Sequence, residues 1–314
     1  MPLAFEEELS MEIYKLIDDV NGYFVFEKGQ NMILVDTGSP YSFHCGPEPL
    51  SICYSTCVTG SSGDVSAMSQ RLHNLIEKDS TLAPLRTMIE GFSLESLITL
   101  LQSRHGQALA KALHINIDVL QAAKRGDTKM QAKVLGVDFD GISKHVGVPI
   151  TTILGTDSLS KYKIVIDKIR NQIMFDLEEI PFDGTSVPTE KFGDCMALNV
   201  KVNGVPRKLL LDTGITVSYA DMVWLDGCMD KGRRIDYHPL ADYYTVPVYR
   251  ALTEFGGRNY QVKYGVLPEI LRDKMTEAIG VNPGVIQGVL GASILEDRRF
   301  YIDIGSETFC VGSF

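Results

Sequence analysis

The stretch Asn31-Met32-Ile33-Leu34-Val35-Asp36-Thr37-Gly38 decides how this chain is read, because it returns 176 positions later as Arg207-Lys208-Leu209-Leu210-Leu211-Asp212-Thr213-Gly214. In both copies at least three apolar residues run into Asp-Thr-Gly. One such motif is only a turn signal, since Asp and Gly favour tight turns wherever they fall together. Two copies with the same apolar approach ask for a common explanation, and repeats are sought first for that reason.

The surroundings match as well. Tyr23 to Phe26 reads as a strand that turns at Lys28-Gly29 and returns as Met32 to Val35. Asn199 to Val202 turns at Asn203-Gly204 and returns as Leu209 to Leu211. Asn-Gly between β-type runs is a strong hairpin signal. Downstream, Thr152-Ile153-Leu154-Gly155 followed by Leu159 is similar to Gly288-Val289-Leu290-Gly291 followed by Leu295. Each leads to an apolar strand ending in Ile-Asp (Ile166-Asp167 and Ile302-Asp303), then to the alternating runs Ile173–Phe175 and Phe309–Val311. The second block repeats at an offset of 136 residues, from 155 to 291. Two blocks in the same order predict a duplicated lobe, with about 40 extra residues between the blocks of the first copy.

Those extra residues differ in texture. From Ser66 to about Gln131 the apolar spacing is helical, at Leu72, Leu75 and Ile76, then Leu94, Leu97, Ile98 and Leu101, then Leu109, Ala112 and Leu113. Ser93 and Asp118 sit where helix starts are expected. Pro, Gly, Ser and Thr cluster between Pro181 and Pro188, which places the boundary there: one lobe over 1–180 with a helical insert at about 66–131, the other over 181–314.

An apolar run into Asp-Thr-Gly, followed later by apolar-Leu-Gly, twice in one chain, resembles the pepsin-like and retropepsin-like aspartic proteases. The resemblance covers the ends of both lobes, about half the chain, and not the helical insert. It implies a mainly β, bilobal acid-protease fold: two duplicated β-barrel lobes, here with an α-helical insertion in the first. It implies an aspartic endopeptidase in which Asp36 and Asp212 form one catalytic dyad. The supporting turns would be Thr37, Gly38 and Ser39 in one lobe and Thr213, Gly214 and Thr216 in the other. Leu154-Gly155 and Leu290-Gly291 would complete a ψ-shaped loop beside each turn. In that family the threonines bond across the seam between the lobes. Two close carboxylates cannot both ionise cheaply, so the pair shares a proton. One then acts as general base on a water while the protonated one polarises the peptide carbonyl. The chemistry needs no cofactor and no metal.

The chain departs from that family in two places. Ser39 follows the first motif, where the family's hydroxyl supports the carboxylate, but Ile215 follows the second and has no side-chain donor. Thr216 is the expected substitute. A missing donor predicts a dyad that titrates higher than in acid-working relatives, favouring weak-acid to neutral activity. The family's flap tyrosine has candidates in Tyr237, Tyr243, Tyr244 and Tyr249 around Pro239, with a hairpin expected at Gly256-Gly257. In the first lobe only Tyr54, or the stretch from Pro47 to Gly60, offers a counterpart. For any one of these tyrosines, packing is the plainer expectation.

Bulk properties narrow the alternatives. With 314 residues the chain suits two domains, and a net charge of −10 argues against phosphate-driven nucleic-acid binding. A rival reading remains in the basic, faintly helix-turn-helix segment from Leu109 to Lys129, as a DNA-binding regulator. A second rival is a catalytically weak or inactive peptide-binding protein on the same fold. The cysteines Cys45, Cys53, Cys57, Cys195, Cys228 and Cys310 show no zinc spacing, the six histidines follow no triad or metal pattern, and no Gly-x-Ser-x-Gly element occurs. No apolar run approaches the length of a membrane span. Met1 to Ile13 carries Glu6, Glu7 and Glu8 and lacks the pattern of a secretory signal. The expectation is a cytoplasmic monomer acting on a polypeptide substrate, with no nucleic-acid partner and no membrane segment.

Overall fold

The structure is a computed structural model, and it describes residues 11–18, 20–46, 102, 137–238, 241–279, 281–282, 284–295 and 298–313. The expected helical insert, the basic segment from Leu109 to Lys129, Tyr54 and the Pro47–Gly60 stretch lie outside the described residues, apart from Gln102 within the insert.

The protein is mainly β, with several sheets. In chain order the strands are β1 (Glu12–Lys15), β2 (Val25–Lys28), β3 (Asn31–Val35) and β4 (Phe43–His44), then helix α1 (Phe139–Val146), β5 (Thr152–Leu154) and the single turn α2 (Thr156–Leu159). There follow β6 (Lys163–Asp167), β7 (Gln172–Asp176), β8 (Gly184–Val187), β9 (Thr189–Phe192), β10 (Cys195–Val202), β11 (Val205–Asp212) and β12 (Ser218–Ala220). The last part holds β13 (Met229–His238), β14 (Asp242–Phe255), β15 (Arg258–Val266), helix α3 (Glu269–Ile279), β16 (Gly288–Gly291), β17 (Arg299–Asp303) and β18 (Thr308–Gly312).

Among the described residues these strands make three sheets. One has four strands in the order β2-β3-β5-β4. A second has eight, in the order β13-β14-β15-β12-β16-β11-β10-β9. The third has six, β1-β7-β6-β17-β18-β8, and draws on both ends of the chain: β6 and β17 pair antiparallel, Phe300 opposite Ile166 and Ile302 opposite Ile164.

The hairpins arise where the turn chemistry demands them. Asn203 and Gly204 both take positive φ, 51° and 77°, and join β10 to β11 with Val202 opposite Val205. Two left-handed central residues match the twist of the flanking strands, which is why Asn-Gly suits this site. Gly256 and Gly257 do the same between β14 and β15, at φ 55° and 71°. The stretch Pro181–Pro188, expected as a boundary, contains strand β8, whose Val187 is buried and paired with Phe309. Its composition reads as linker, yet it forms an edge strand because β18 offers an unpaired edge to it.

Two apolar strand runs are buried on both faces. β3 lies between β2 and the parallel β5, and β11 lies between β10 and the parallel β16. Continuous apolar sequence is what such central strands require, since neither face meets water. One helix covers each of the two sheets. Phe139, Ile142 and Val146 of α1 pack with Val25, Leu34 and Ile153. Leu271, Met275 and Ile279 of α3 pack with Ala197, Leu210 and Val289. Spacings of three and four place each trio on one helical face. Each fully buried apolar side chain of this kind contributes about 1.5–3 kcal/mol.

Candidate active site

Each Asp-Thr-Gly leaves the end of a central strand. Asp36 follows β3, and its amide donates to the carbonyl of Leu154 at 2.9 Å. Asp212 closes β11 in register with Gly291. The chain then turns back sharply, and the carboxylate accepts amides from its own turn. Asp36 Oδ1 accepts from Gly38 N and Ser39 N, both at 3.0 Å. Asp212 Oδ1 accepts from Gly214 N at 2.9 Å.

The two turns are tied to each other. Thr37 N donates to Thr213 Oγ1, and Thr213 N donates to Thr37 Oγ1, each at 3.1 Å. Both hydroxyls reach on to the strand carrying the other motif: Thr37 Oγ1 donates to the carbonyl of Leu211 at 2.9 Å, and Thr213 Oγ1 to that of Val35 at 2.7 Å. Both threonines are fully buried. A buried hydroxyl that accepts one bond and donates another is satisfied, and only Ser or Thr offers both in so little space.

This tie brings the carboxyls face to face. A Cβ on Gly38 would collide with the Asp212 carboxyl, and a Cβ on Gly214 with that of Asp36. Glycine is required at both positions by space, because each carboxyl occupies the volume a methyl would take. Gly155 and Gly291 are needed for a related reason. A Cβ on Gly155 would strike the backbone of Tyr41 and Ser39, and one on Gly291 the backbone of Val217 and Ile215. Leu154-Gly155 and Leu290-Gly291 thus thread tightly behind the two turns, where Thr156 N donates to Ser39 O and Ala292 N to Ile215 O, both at 2.8 Å.

The carboxyls differ electrostatically. Burial raises Asp36 from the ordinary aspartate value to about 6, against the opposing pull of the Gly38 amide, the Asp212 carboxyl and the Ser39 amide. Burial raises Asp212 well above its ordinary value, and the Asp36 charge raises it further, with only the Gly214 amide opposing. By residue exposure Asp212 is buried and Asp36 is partly exposed, and burial is the largest cause of the shift at both. Both carboxyls are thus pushed upward, and they titrate as one coupled pair.

Two expected supports act differently. The Ser39 hydroxyl donates to the carbonyl of Tyr41 at 2.7 Å; it is the Ser39 amide that reaches Asp36. The side chain closes its own local turn because the chain bends again at Tyr41. Thr216 Oγ1 accepts from Arg234 Nη2 at 3.5 Å, and among the described residues it makes no hydrogen bond to Asp212. Asp212 accepts one amide of its own turn, from Gly214, where Asp36 accepts two, from Gly38 and Ser39.

Of the tyrosines, Tyr237 is buried among Ile142, Phe139 and their neighbours, and Tyr249 packs on the main core. Tyr243 is largely exposed. Tyr244 shares a hydrogen bond with the hydroxyl of Tyr219 at 2.9 Å, and Tyr219 donates to the buried Asp236. Asp236 also accepts the Tyr237 amide at 2.9 Å and faces His145 Nε2 of α1 at 3.6 Å. Burial holds His145 below the ordinary histidine value, although Asp236 pulls the other way.

Sequence reasoning missed several of these residues. Ser42 Oγ accepts the amide of Gly155 at 2.9 Å, and Ser218 Oγ accepts that of Gly291 at 3.1 Å. Each serine stands six residues after its aspartate, so the 176-residue offset would have revealed the pair. Asp236, His145 and the buried Cys195 (its thiol 3.6 Å from the Gly38 carbonyl) carried no pattern of their own. Among the described residues no group of three or more His, Cys, Asp or Glu is placed to hold a metal ion, and no helix is long and apolar enough to cross a membrane.

In comparisons with known proteins, no protein-family model matches the chain, and no curated protein matches it.

Proposed function

We propose that Asp36 and Asp212 form one carboxylate dyad that hydrolyses peptide bonds, making the chain an aspartic endopeptidase of the bilobal, internally duplicated kind. The observation that carries this reading is the reciprocal threonine tie, which seats each carboxyl against the glycine of the opposite turn. A turn with a merely structural role has no need of a second buried carboxyl pressed against it. Burying two such groups together is costly unless they share a proton. Carboxyls pushed this far from their ordinary value cluster where chemistry is done.

The asymmetry of the pair supports one division of roles. Asp36, with two turn amides and partial exposure, is the carboxylate; it takes a proton from a water whose oxygen attacks the peptide carbonyl carbon. Asp212, buried and beside a negative charge, holds the proton and gives it to the carbonyl oxygen, so that the tetrahedral intermediate is neutral. A proton then passes from Asp36 to the amine nitrogen as the C–N bond breaks, and Asp212 recovers its proton from the intermediate's hydroxyl. No cofactor or metal enters these steps. Both halves of the dyad lie in one chain, so a monomer suffices.

The test is cleavage of a mixed peptide library across pH, with and without a pepstatin-type inhibitor. Turnover should vanish in Asp36→Asn and in Asp212→Asn while both variants stay folded. Unchanged turnover in either would sink the proposal, and a folded wild type inactive at every pH would leave the inactive peptide-binding protein as the better reading.

A further inference from the structure

We propose that Arg234 is a specificity-determining residue that selects peptides carrying a carboxylate near the bond to be cut; the inference rests on reading Asp36 and Asp212 as a peptide-cleaving dyad. Arg234 lies on β13, the outermost strand of the eight-stranded sheet. Its Nη2 approaches Thr216 Oγ1 at 3.5 Å, and Thr216 stands four residues after Asp212 on the same turn. A guanidinium thus lies beside the turn that carries half of the proposed dyad.

Its position is set by a neighbour. Arg234 and Asp236 share one face of β13, since side chains two apart in a strand point the same way. Asp236 is fixed in the interior by Tyr219, the Tyr237 amide and His145. That fixture holds the strand, and with it Arg234, against the Asp212 turn. Arg233, on the opposite face, directs its Nη2 to the Thr245 carbonyl at 3.4 Å.

The Arg234 side chain is exposed, and among the described residues no carboxylate lies within ion-pair distance of it. Arg272 and Arg299, by contrast, reach Asp221 and Asp167 at 3.1 Å. Acidic residues outnumber basic ones by 40 to 30 in this chain, and a guanidinium beside the Asp212 turn with no carboxylate partner among the described residues is open to an external one. A guanidinium has five N–H donors in a planar fork that suits a carboxylate. The outer edge of β13 is also unpaired among the described residues, and an extended peptide can add there as a further strand. A peptide lying on that edge passes Arg234.

The experiment measures kcat/KM of the full chain on peptides that differ only by Glu, Gln or Lys at each position around the cleaved bond. Matched substrates with a free or amidated C-terminus form a second arm. At one position Glu should exceed Gln by about tenfold, the size expected of a partly desolvated charge pair. Arg234→Ala should bring that ratio to near one, Arg234→Lys should keep most of it, and Arg234→Glu should shift the preference to Lys. If the free C-terminus alone carries the preference and Arg234→Ala removes it, the proposal holds and the carboxylate is terminal. If the wild type cleaves but Arg234→Glu leaves the Glu:Gln ratio unmoved, Arg234 is not the determinant and the dyad reading stands. A folded wild type that cuts nothing overturns both.

Discussion

The amide of Thr37 donates to the hydroxyl of Thr213 while the amide of Thr213 donates to the hydroxyl of Thr37, each at 3.1 Å and 176 residues apart in sequence. The two central strands are held together at this point. Replacing Thr37 with Val should cost roughly 2–4 kcal/mol, because the Leu211 carbonyl and the Thr213 amide lose their partners in a buried place. Thr37→Ser keeps the hydroxyl and should cost much less. Urea unfolding of the two variants checks this, and equal losses would mean that the methyl, not the hydroxyl, matters.

Gly38→Ala and Gly214→Ala should each disturb the dyad from the opposite side. The added methyl enters the space of Asp212 in the first case and of Asp36 in the second. Overpacking of this kind costs about 1–3 kcal/mol. The prediction is a loss of cleavage larger than the loss of stability, seen by comparing kcat/KM with the thermal midpoint.

The proposed dyad should be active when it carries one negative charge. With Asp36 raised to about 6 and Asp212 raised well above it, cleavage should climb through about pH 6 as Asp36 ionises and decline on the alkaline side as Asp212 loses its proton. A maximum well below pH 4 would contradict the assignment. Asp36→Asn should lower the Asp212 pKa, because the neighbouring charge is gone while the burial remains, and carboxyl carbon NMR can follow it.

Stability should carry the same signature. Both carboxyls are raised in the folded state, so the native protein binds more protons than the unfolded chain above the ordinary aspartate value. The dyad's contribution to stability is then fully present below that value and is lost as pH rises through about 6. Asp212→Asn should flatten this dependence in denaturant titrations between pH 4 and 8.

Ser42→Ala and Ser218→Ala form a matched pair. Each removes the acceptor for a buried glycine amide, Gly155 or Gly291, and each should cost roughly 1–3 kcal/mol. Ser42 also donates within a small network with Asp157 and Ser158, so its replacement should be the worse of the two in the same unfolding assay.

Much of this was legible before the structure. The apolar runs before Asp36 and Asp212 announced buried strands, and Asn203-Gly204 and Gly256-Gly257 announced their hairpins, because these features depend on backbone chemistry within a few residues. β8 was not legible, since Gly184 to Val187 becomes a strand only through the edge that β18 presents. Nor was the partner of the Ser39 hydroxyl, which donates to the Tyr41 carbonyl while the Ser39 amide reaches Asp36.

The sequence by itself determined the turns, the strands that enter them, and the identity of the two aspartates. Only the tertiary structure decided that the two carboxyls meet, that Asp212 is the more deeply buried, and that Arg234 is carried to the Asp212 turn by a strand anchored through Asp236. The division follows from range. Turn and strand preferences are settled among adjacent residues, whereas a carboxyl's environment is set by whichever distant strand is packed against it.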